Sequence, residues 1–206
     1  MRRLWGRANS INVQKVLWGL DELGLPYERI EAGGAHGVVG DAAYRAMNPN
    51  GLVPTLQEDA FVLWESNAIL RYLARRNGGP LALPEDAHER AWIDQWLDWQ
   101  ATSFTPAMRD AFWQRIRVEE TRRDEAAIAA SLSATERHAE TLDRHLHDRG
   151  FVVGTRFSIA DLALGCAAHR WLHLPLPRIR RPALERWYAA IAARPAAACV
   201  MRQALS

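Results

Sequence analysis

The stretch that decides the fold is RRLWGRANSINVQKVLWGLDELGLPYERIE, residues 2–31. Arg2–Trp5 is predicted to be a short strand. The next segment, 11–23, is predicted to be a helix, because its apolar residues repeat at helical spacing. Those residues are Val13, Val16, Leu17, Leu20 and Leu23. Gly24 and Pro26 are typical of a helix end, and Tyr27–Glu31 is predicted to be a second strand. Strand, helix and strand in so short a stretch indicate a βαβ unit.

The same alternation continues to about residue 80. AGGAHGVVG (32–40) is predicted to be a loop, and Asp41–Met47 to form one or two helical turns. After the NPNG turn, strands are predicted at Val53–Gln57 and Phe61–Trp64, with a helix at Glu65–Arg76. The order β-α-β-α-β-β-α predicts a small mixed sheet covered by helices.

The sequence pattern changes after a Gly- and Pro-containing linker near Gly79–Pro84. No strand pattern occurs from Glu85 onward, and long amphipathic helices are predicted instead. The domains are therefore expected at 1–79 and 85–206. The first helical segment carries an aromatic stripe that is typical of core packing, and Pro106 should kink or restart the helix there. The stripe consists of Trp92, Trp96, Trp99, Phe104, Met108 and Phe112.

Later helices are predicted at 119–149, after Ser158, at 182–193 and at 196–205. Ser158 and Asp161 have the spacing of a capping box, in which the carboxylate returns to the Ser158 amide. Phe157 is placed to pack on Leu162 from just outside the helix. Asp161 is therefore interpreted as a structural acid and not as a catalytic one.

Composition excludes several classes of function. The net charge is +2, from 26 basic and 24 acidic residues, and the arginines are dispersed, so no basic groove for nucleic acid is expected. No apolar run approaches the roughly 18 residues of a membrane span, and the N-terminus lacks the apolar stretch of a signal peptide. Two cysteines, Cys166 and Cys199, and dispersed histidines predict neither a disulfide framework nor a metal site. We expect a cytoplasmic protein that uses no metal and binds neither nucleic acid nor membrane.

Three polar junctions are candidates for chemistry, each with a simpler structural alternative. The turn from Gly6 to Asn12 lies where a helix begins, and such a place stabilises a phosphate or a thiolate. Its alternative is that Ser10 only caps the helix. At Val53-Pro54, a cis bond would leave the Val53 backbone able to pair with a peptide ligand. The alternative there is an ordinary edge-strand proline.

The third junction is Trp64-Glu65-Ser66-Asn67, where a strand passes into a helix. Ser66 and the neighbouring helix amides could bind a carboxylate, while Glu65 could bind an ammonium group. An amino-acid head group carries both charges. A plain cap followed by a first-turn acid is the alternative.

Taken together, these segments resemble the glutathione transferase superfamily. The segments that carry the resemblance are SINVQKVLWGLDELGLPYE, NPNGLVPTL, LWESNAILRYLA and FSIADLALG. It implies a thioredoxin-like α/β N-terminal domain and an all-α C-terminal helical bundle that contributes the electrophile pocket. The class implied is the bacterial serine/asparagine type, similar to theta and nu, because no cysteine or tyrosine occupies the activating turn.

The resemblance also implies residue roles. Ser10 and Asn12 would activate the glutathione sulfur, with Ser10 ranked first. Val53, before a cis Pro54, would pair with the cysteinyl unit, and Glu65 and Ser66 would hold the γ-glutamyl end. Gly51-Leu52 departs from the charged residues that many relatives have there, so His36 or Arg45 is expected to hold the glycine carboxylate.

The function implied is conjugation of the glutathione thiolate to a small hydrophobic electrophile, in a homodimer. Arg7, Met108 and Trp113 are the predicted pocket residues, and glutathione is the co-substrate. Two alternatives stay open. One is a glutathione-dependent disulfide or peroxide reductase, which Asn12 suggests. The other is a non-catalytic binding module with the same fold.

Overall fold

The structure is a computed structural model that describes all 206 residues. The chain divides into two compact units. One comprises Met1–Leu83 with Pro195–Gln203, and the other Pro84–Arg194 with Ala204–Ser206. None of the helices combines the length and the apolar character that crossing a bilayer requires.

The first unit contains the predicted order of strands and helices. Its elements are β1 (Arg2–Trp5), α1 (Ile11–Glu22), β2 (Glu28–Ile30), α2 (Ala42–Met47), β3 (Thr55–Glu58), β4 (Phe61–Trp64) and α3 (Ser66–Asn77). The strands lie in the order β2-β1-β3-β4. β1 and β2 are parallel, which confirms the βαβ unit, and the other two pairings are antiparallel.

The core of this unit lies between the sheet and the helices α1 and α3. The apolar side chains of α1 recur at helical spacing and so form one face of the helix. This face packs on the inward-facing side chains of β1 and β3. The buried cluster consists of Leu4, Val13, Val16, Leu17, Leu20, Leu56, Ile69 and Leu73. It fixes α1 and α3 side by side beneath the sheet.

The last residues of the chain differ from the sequence prediction. The helix expected at 196–205 is reduced to α10 (Ala198–Met201) after a 3₁₀ turn. Pro195–Gln203 belongs to the first unit, because α10 and the preceding turn pack on α1. The segment expected in the helical domain therefore completes the α/β unit.

The second unit is entirely helical. Its helices are α4 (Ala87–Trp99), α5 (Thr105–Ala107), α6 (Arg109–Ile116), α7 (Glu125–His145), α8 (Ile159–His173) and α9 (Pro182–Ala192). Gln100–Phe104 forms a π-helical turn before Pro106, so the helix restarts there as predicted. Within the aromatic stripe, Phe104 and Met108 are completely buried, but Trp92 is 54% exposed and lies outside the core.

The start of α8 is the capping box that the sequence predicts. The Asp161 carboxylate accepts hydrogen bonds from the Ser158 amide (2.9 Å) and hydroxyl (2.9 Å). It also accepts from the Val152 amide (2.8 Å) and from Trp187 Nε1 (2.9 Å). Asp161 is completely buried and thus joins a loop, a helix start and α9, as a structural acid.

Candidate functional site

Strand register brings the three polar junctions to one end of the sheet. Trp5 pairs with Thr55, and Thr55 pairs with Trp64. Trp5 is the last residue of β1, Thr55 the first of β3 and Trp64 the last of β4. The segments beyond these residues must therefore emerge side by side. Strands lie about 4.8 Å apart, so this row of three spans about 10 Å, which is also the length of about three extended residues.

The turn after β1 presents the start of α1 to this edge. Ser10 occupies the N-cap position, but its side chain makes no capping hydrogen bond. The first turn of α1 also contains no acidic side chain, so none of its own residues competes for the positive end of the helix dipole. The structure thus departs from the simple alternative of a side-chain cap.

Asn12 and Ser66 connect the first turns of α1 and α3. The Ser66 hydroxyl donates to Asn12 Oδ1 at 3.3 Å. Asn12 is exposed while Ser66 is 4% exposed. With its oxygen occupied, Asn12 directs its amide N–H groups elsewhere, and these are the atoms able to donate to an anion.

Glu65 has an unusual backbone conformation. It precedes α3 with φ 69° and ψ 110°, and a residue other than glycine at positive φ costs on the order of 1–3 kcal/mol. Such strain clusters at ligand sites, where the surrounding structure maintains it. The Glu65 side chain makes no capping bond, and the α3 amides that follow form a second positive helix end.

The Val53–Pro54 peptide bond is cis, as expected from the resemblance. Its position is held by residues that sequence reasoning missed. Tyr44 donates to Leu52 O at 2.7 Å and bonds Thr55 Oγ1 at 2.9 Å, while Asn48 Nδ2 donates to Leu52 O at 2.9 Å. Both side chains lie on or directly after α2 and are almost completely buried. Tyr44 is the only aromatic residue of α2, and this was the signal available for it in the sequence.

The two residues expected at the glycine end occupy different surroundings. His36 is exposed, and its Nε2 lies 3.5 Å from Glu31 Oε2. Arg45 Nη1 donates to Pro49 O at 3.3 Å, and its Nη2 would lie 3.0 Å from a Cβ placed on Gly51. Arg45 therefore lies against the loop that carries Val53, whereas His36 faces a carboxylate.

The three predicted pocket residues differ in accessibility. Arg7 donates to Asn9 Oδ1 at 2.8 Å and packs over Gly34, so it covers the loop beside the α1 start. Trp113 is 49% exposed, with the Arg117 guanidinium 5.1 Å from its ring centre. Met108 is completely buried, which argues against its lining an open pocket. The roles of all three stay predictions.

The sheet order, the cis proline at the start of β3 and the polar helix starts define a thioredoxin-like domain followed by a helical domain. Models of the N-terminal and C-terminal domains of glutathione S-transferases match residues 9–76 and 125–190. The chain belongs to the glutathione S-transferase family, which confirms both the resemblance and the predicted fold.

Individual relatives agree with this assignment. Glutathione S-transferase GstB of Escherichia coli K12 is 40% identical over 198 residues, 95% of each chain. Glutathione S-transferase 3 of Zea mays is 31% identical over 211 residues, covering 94% of this chain and 90% of the relative. A theta class enzyme of Xanthomonas axonopodis pv. citri, solved with glutathione bound, is 43% identical with a TM-score of 0.95. That similarity covers 100% of this chain and 99% of the other.

Proposed function

We propose that this glutathione transferase binds glutathione along the row Trp5–Thr55–Trp64 and transfers its thiolate to a small hydrophobic electrophile. The observation that supports the proposal most directly is the strand register of those residues. It aligns one helix start, one strand start and a second helix start over the length of a tripeptide.

The sulfur is assigned to the start of α1. Ser10 donates its hydroxyl hydrogen to the thiolate, and the Asn12 amide donates a second bond. Together with the helix dipole, these donors lower the pKa of the thiol below about 8.5. Ser10 acts here as a hydrogen-bond donor and not as a nucleophile or base.

The peptide ends of glutathione are assigned to the other two junctions. The Val53 backbone pairs with the cysteinyl unit, next to Pro54. Ser66 and the first amides of α3 receive the γ-glutamyl carboxylate, and Glu65 receives the ammonium group. Of the two candidates for the glycine carboxylate, Arg45 is favoured over His36, because His36 already faces Glu31.

The reaction is nucleophilic substitution at carbon. The thiol loses its proton to solvent, the sulfur–carbon bond forms, and the leaving group departs with its bonding electrons. Arg7 is the candidate from the first unit for contacting the electrophile. Trp113 is favoured over Met108 in the second unit, because its ring is half exposed.

Disulfide or peroxide reduction is the second candidate function, and Asn12 is the observation that favours it. A purified sample should be titrated with glutathione by thermal shift, then assayed with chlorodinitrobenzene and with a small disulfide and an organic peroxide. We expect glutathione to stabilise the protein and chlorodinitrobenzene to be the better acceptor. Faster turnover of the disulfide or peroxide would favour the reductase, and absence of binding would favour a non-catalytic module.

We also propose that the protein is a homodimer. The first unit has an apolar groove of about 510 Å³ on β4 and α3, lined by Phe61, Leu63, Ala68 and Tyr72 and rimmed by arginines. Phe61 is 44% exposed. Light scattering should give about twice the mass of 23.3 kDa, and Phe61→Glu should lower it to that of one chain.

The compartment that we propose is the cytoplasm. Neither cysteine forms a disulfide, and Cys166 is buried while Cys199 is half-buried, as expected in a reducing compartment. Fractionation of the source cells with an antibody against the protein should recover it with cytoplasmic markers. Recovery in an extracytoplasmic fraction would overturn this assignment.

A further inference from the structure

The only lysine of the chain is buried beside the site. Lys15 is the single lysine among 26 lysine and arginine residues, and it is 1% exposed. It lies on α1, one turn after Asn12 and therefore on the same side of the helix. Burying an ammonium group costs several kcal/mol unless polar partners compensate, so the position calls for a specific role.

The ammonium group of Lys15 binds the start of α3. Lys15 Nζ donates to Asn67 Oδ1 at 2.9 Å, across 52 residues of sequence. Asn67 follows Ser66 and is 8% exposed. The neighbouring bond from Ser66 to Asn12 runs between the same two helices. Two adjacent polar bridges thus join the first two turns of α1 to the first turn of α3.

The two bridges differ in what they can do. The Asn12–Ser66 bond is 3.3 Å long between neutral groups and uses a hydroxyl that the γ-glutamyl carboxylate also needs. The Lys15–Asn67 bond is shorter and involves a charged donor, and such bonds are roughly twice as strong. It can hold the start of α3 in place while Ser66 turns toward a ligand.

We propose that Lys15 is a positioning residue for the γ-glutamyl carboxylate of glutathione. By holding Asn67, it fixes the backbone at the start of α3, from which the Ser66 hydroxyl and the first amides reach that carboxylate. Lysine suits this position because its ammonium group is a compact point charge on a flexible stem, whereas the planar guanidinium of arginine presents a wide fork of donors. The inference rests on the proposed glutathione site and assigns a further residue to it.

The test measures the dissociation constants of three ligands for the wild type and for Lys15→Met, which conserves volume. The ligands are S-methylglutathione, its analogue with γ-aminobutyrate in place of the γ-glutamyl group, and its glycine ethyl ester. In Lys15→Met we expect about tenfold weaker binding of the first and third ligands. The analogue without the γ-glutamyl carboxylate should change by less than about twofold, since the lost interaction is absent from it.

Gln14→Met is the matched control. Gln14 is the neighbouring α1 residue, is 6% exposed, and has no proposed part in the site. It should leave all three dissociation constants within about twofold. In kinetics with glutathione as the varied substrate, Lys15→Met should raise the KM for glutathione, while kcat and the pKa of the bound thiol stay near their wild-type values.

A second measurement needs no variant. Because the chain has one lysine, labelling lysine with ¹³C at Cε and ¹⁵N at Nζ gives a single side-chain signal. We expect this signal to shift when S-methylglutathione or its glycine ester binds to the wild type, and to shift much less with the γ-aminobutyrate analogue.

The outcomes separate this inference from the proposed function. Equal loss of all three ligands in Lys15→Met, or no loss of any, would overturn the role of Lys15. The lysine signal decides the matter even if Lys15→Met fails to fold, because it is measured on the wild type. Equal shifts of this signal with all three ligands, or no shift with any, would also overturn the role of Lys15. If S-methylglutathione does not bind the wild type, the proposed site itself is wrong and the inference falls with it.

Discussion

The hydroxyl of Ser66 lies 3.3 Å from the side-chain oxygen of Asn12, although 54 residues separate them along the chain. This bond brings the residue assigned to the γ-glutamyl end next to a residue assigned to the sulfur. It also gives Asn12 a structural role that its sequence context does not indicate. An Asn12 substitution will therefore act on both ends of the ligand.

Replacing Ser10 by alanine tests the activating hydroxyl. We expect a loss in kcat/KM of about 10²-fold, the lower end of what removing one such donor costs, and a higher pKa of the bound thiol. The measurement is thiolate absorbance of the glutathione complex as a function of pH. Asn12→Ala should raise the thiol pKa less and weaken glutathione binding more. If Ser10→Ala kept activity while Asn12→Ala lost it, the ranking of the two would be reversed.

Glu58 predicts a pH dependence of stability. Burial alone would raise its pKa, but hydrogen bonds from Tyr72 and Arg2 and the charges of Arg2 and Arg76 lower it. A lowered folded-state pKa means that the stabilisation is present above the unfolded pKa, about 4.3, and is lost as pH falls through the folded value. Glu58→Gln should lower the free energy of unfolding by about 2 kcal/mol at pH 7, and the difference from wild type should shrink below about pH 4.

Glu28 supplies the control for that experiment. It pairs with Arg3 across the neighbouring strands at 3.1 Å, but its side chain is 54% exposed. Exposed pairs contribute about 0–1 kcal/mol, so Glu28→Gln should have little effect at any pH. A pH-independent loss in Glu58→Gln would contradict the role of the Glu58 charge.

Asp161 should be among the most sensitive positions for stability. Burial raises the pKa of its carboxyl, against the effect of its hydrogen bonds. Asp161→Asn would turn an amide N–H toward groups that themselves donate, at a cost of about 3 kcal/mol or more. Thermal and urea unfolding would measure this loss in the free energy of unfolding. Asp148→Asn is the control, because the Asp148 side chain is 88% exposed. A loss under about 1 kcal/mol in Asp161→Asn would contradict its structural role.

Gly6 is constrained by close packing at the end of β1. A Cβ at this position would lie 2.4 Å from Val13 Cγ2, and Val13 is completely buried. Gly6→Ala should therefore displace α1, lower the unfolding free energy by about 1–3 kcal/mol and weaken glutathione binding. A Cβ at Gly40 meets nothing within 4 Å, so Gly40→Ala should leave both quantities unchanged. If Gly6→Ala kept the wild-type unfolding free energy and glutathione affinity, the predicted constraint at Gly6 would be wrong.

Local signals in the sequence predicted most of the secondary structure. The apolar spacing of α1, its Gly24 end and the Ser158–Asp161 capping box all act within a few residues, and the structure contains each of them. Prediction was less accurate where helices are short or interrupted. The helix expected at 119–149 forms only over Glu125–His145, and most of the helix expected at 196–205 is absent. Helix ends depend on packing as well as propensity.

The sequence by itself determined the two-part fold and the three polar junctions, because strand and helix periodicity and capping are properties of neighbouring residues. Only the tertiary structure decided that these junctions meet. The row Trp5–Thr55–Trp64 depends on strand register, and the bonds from Lys15 to Asn67 and from Tyr44 to Leu52 depend on how helices pack. Such contacts join residues far apart in the chain or follow a turn whose shape is set by its surroundings, so no local pattern specifies them.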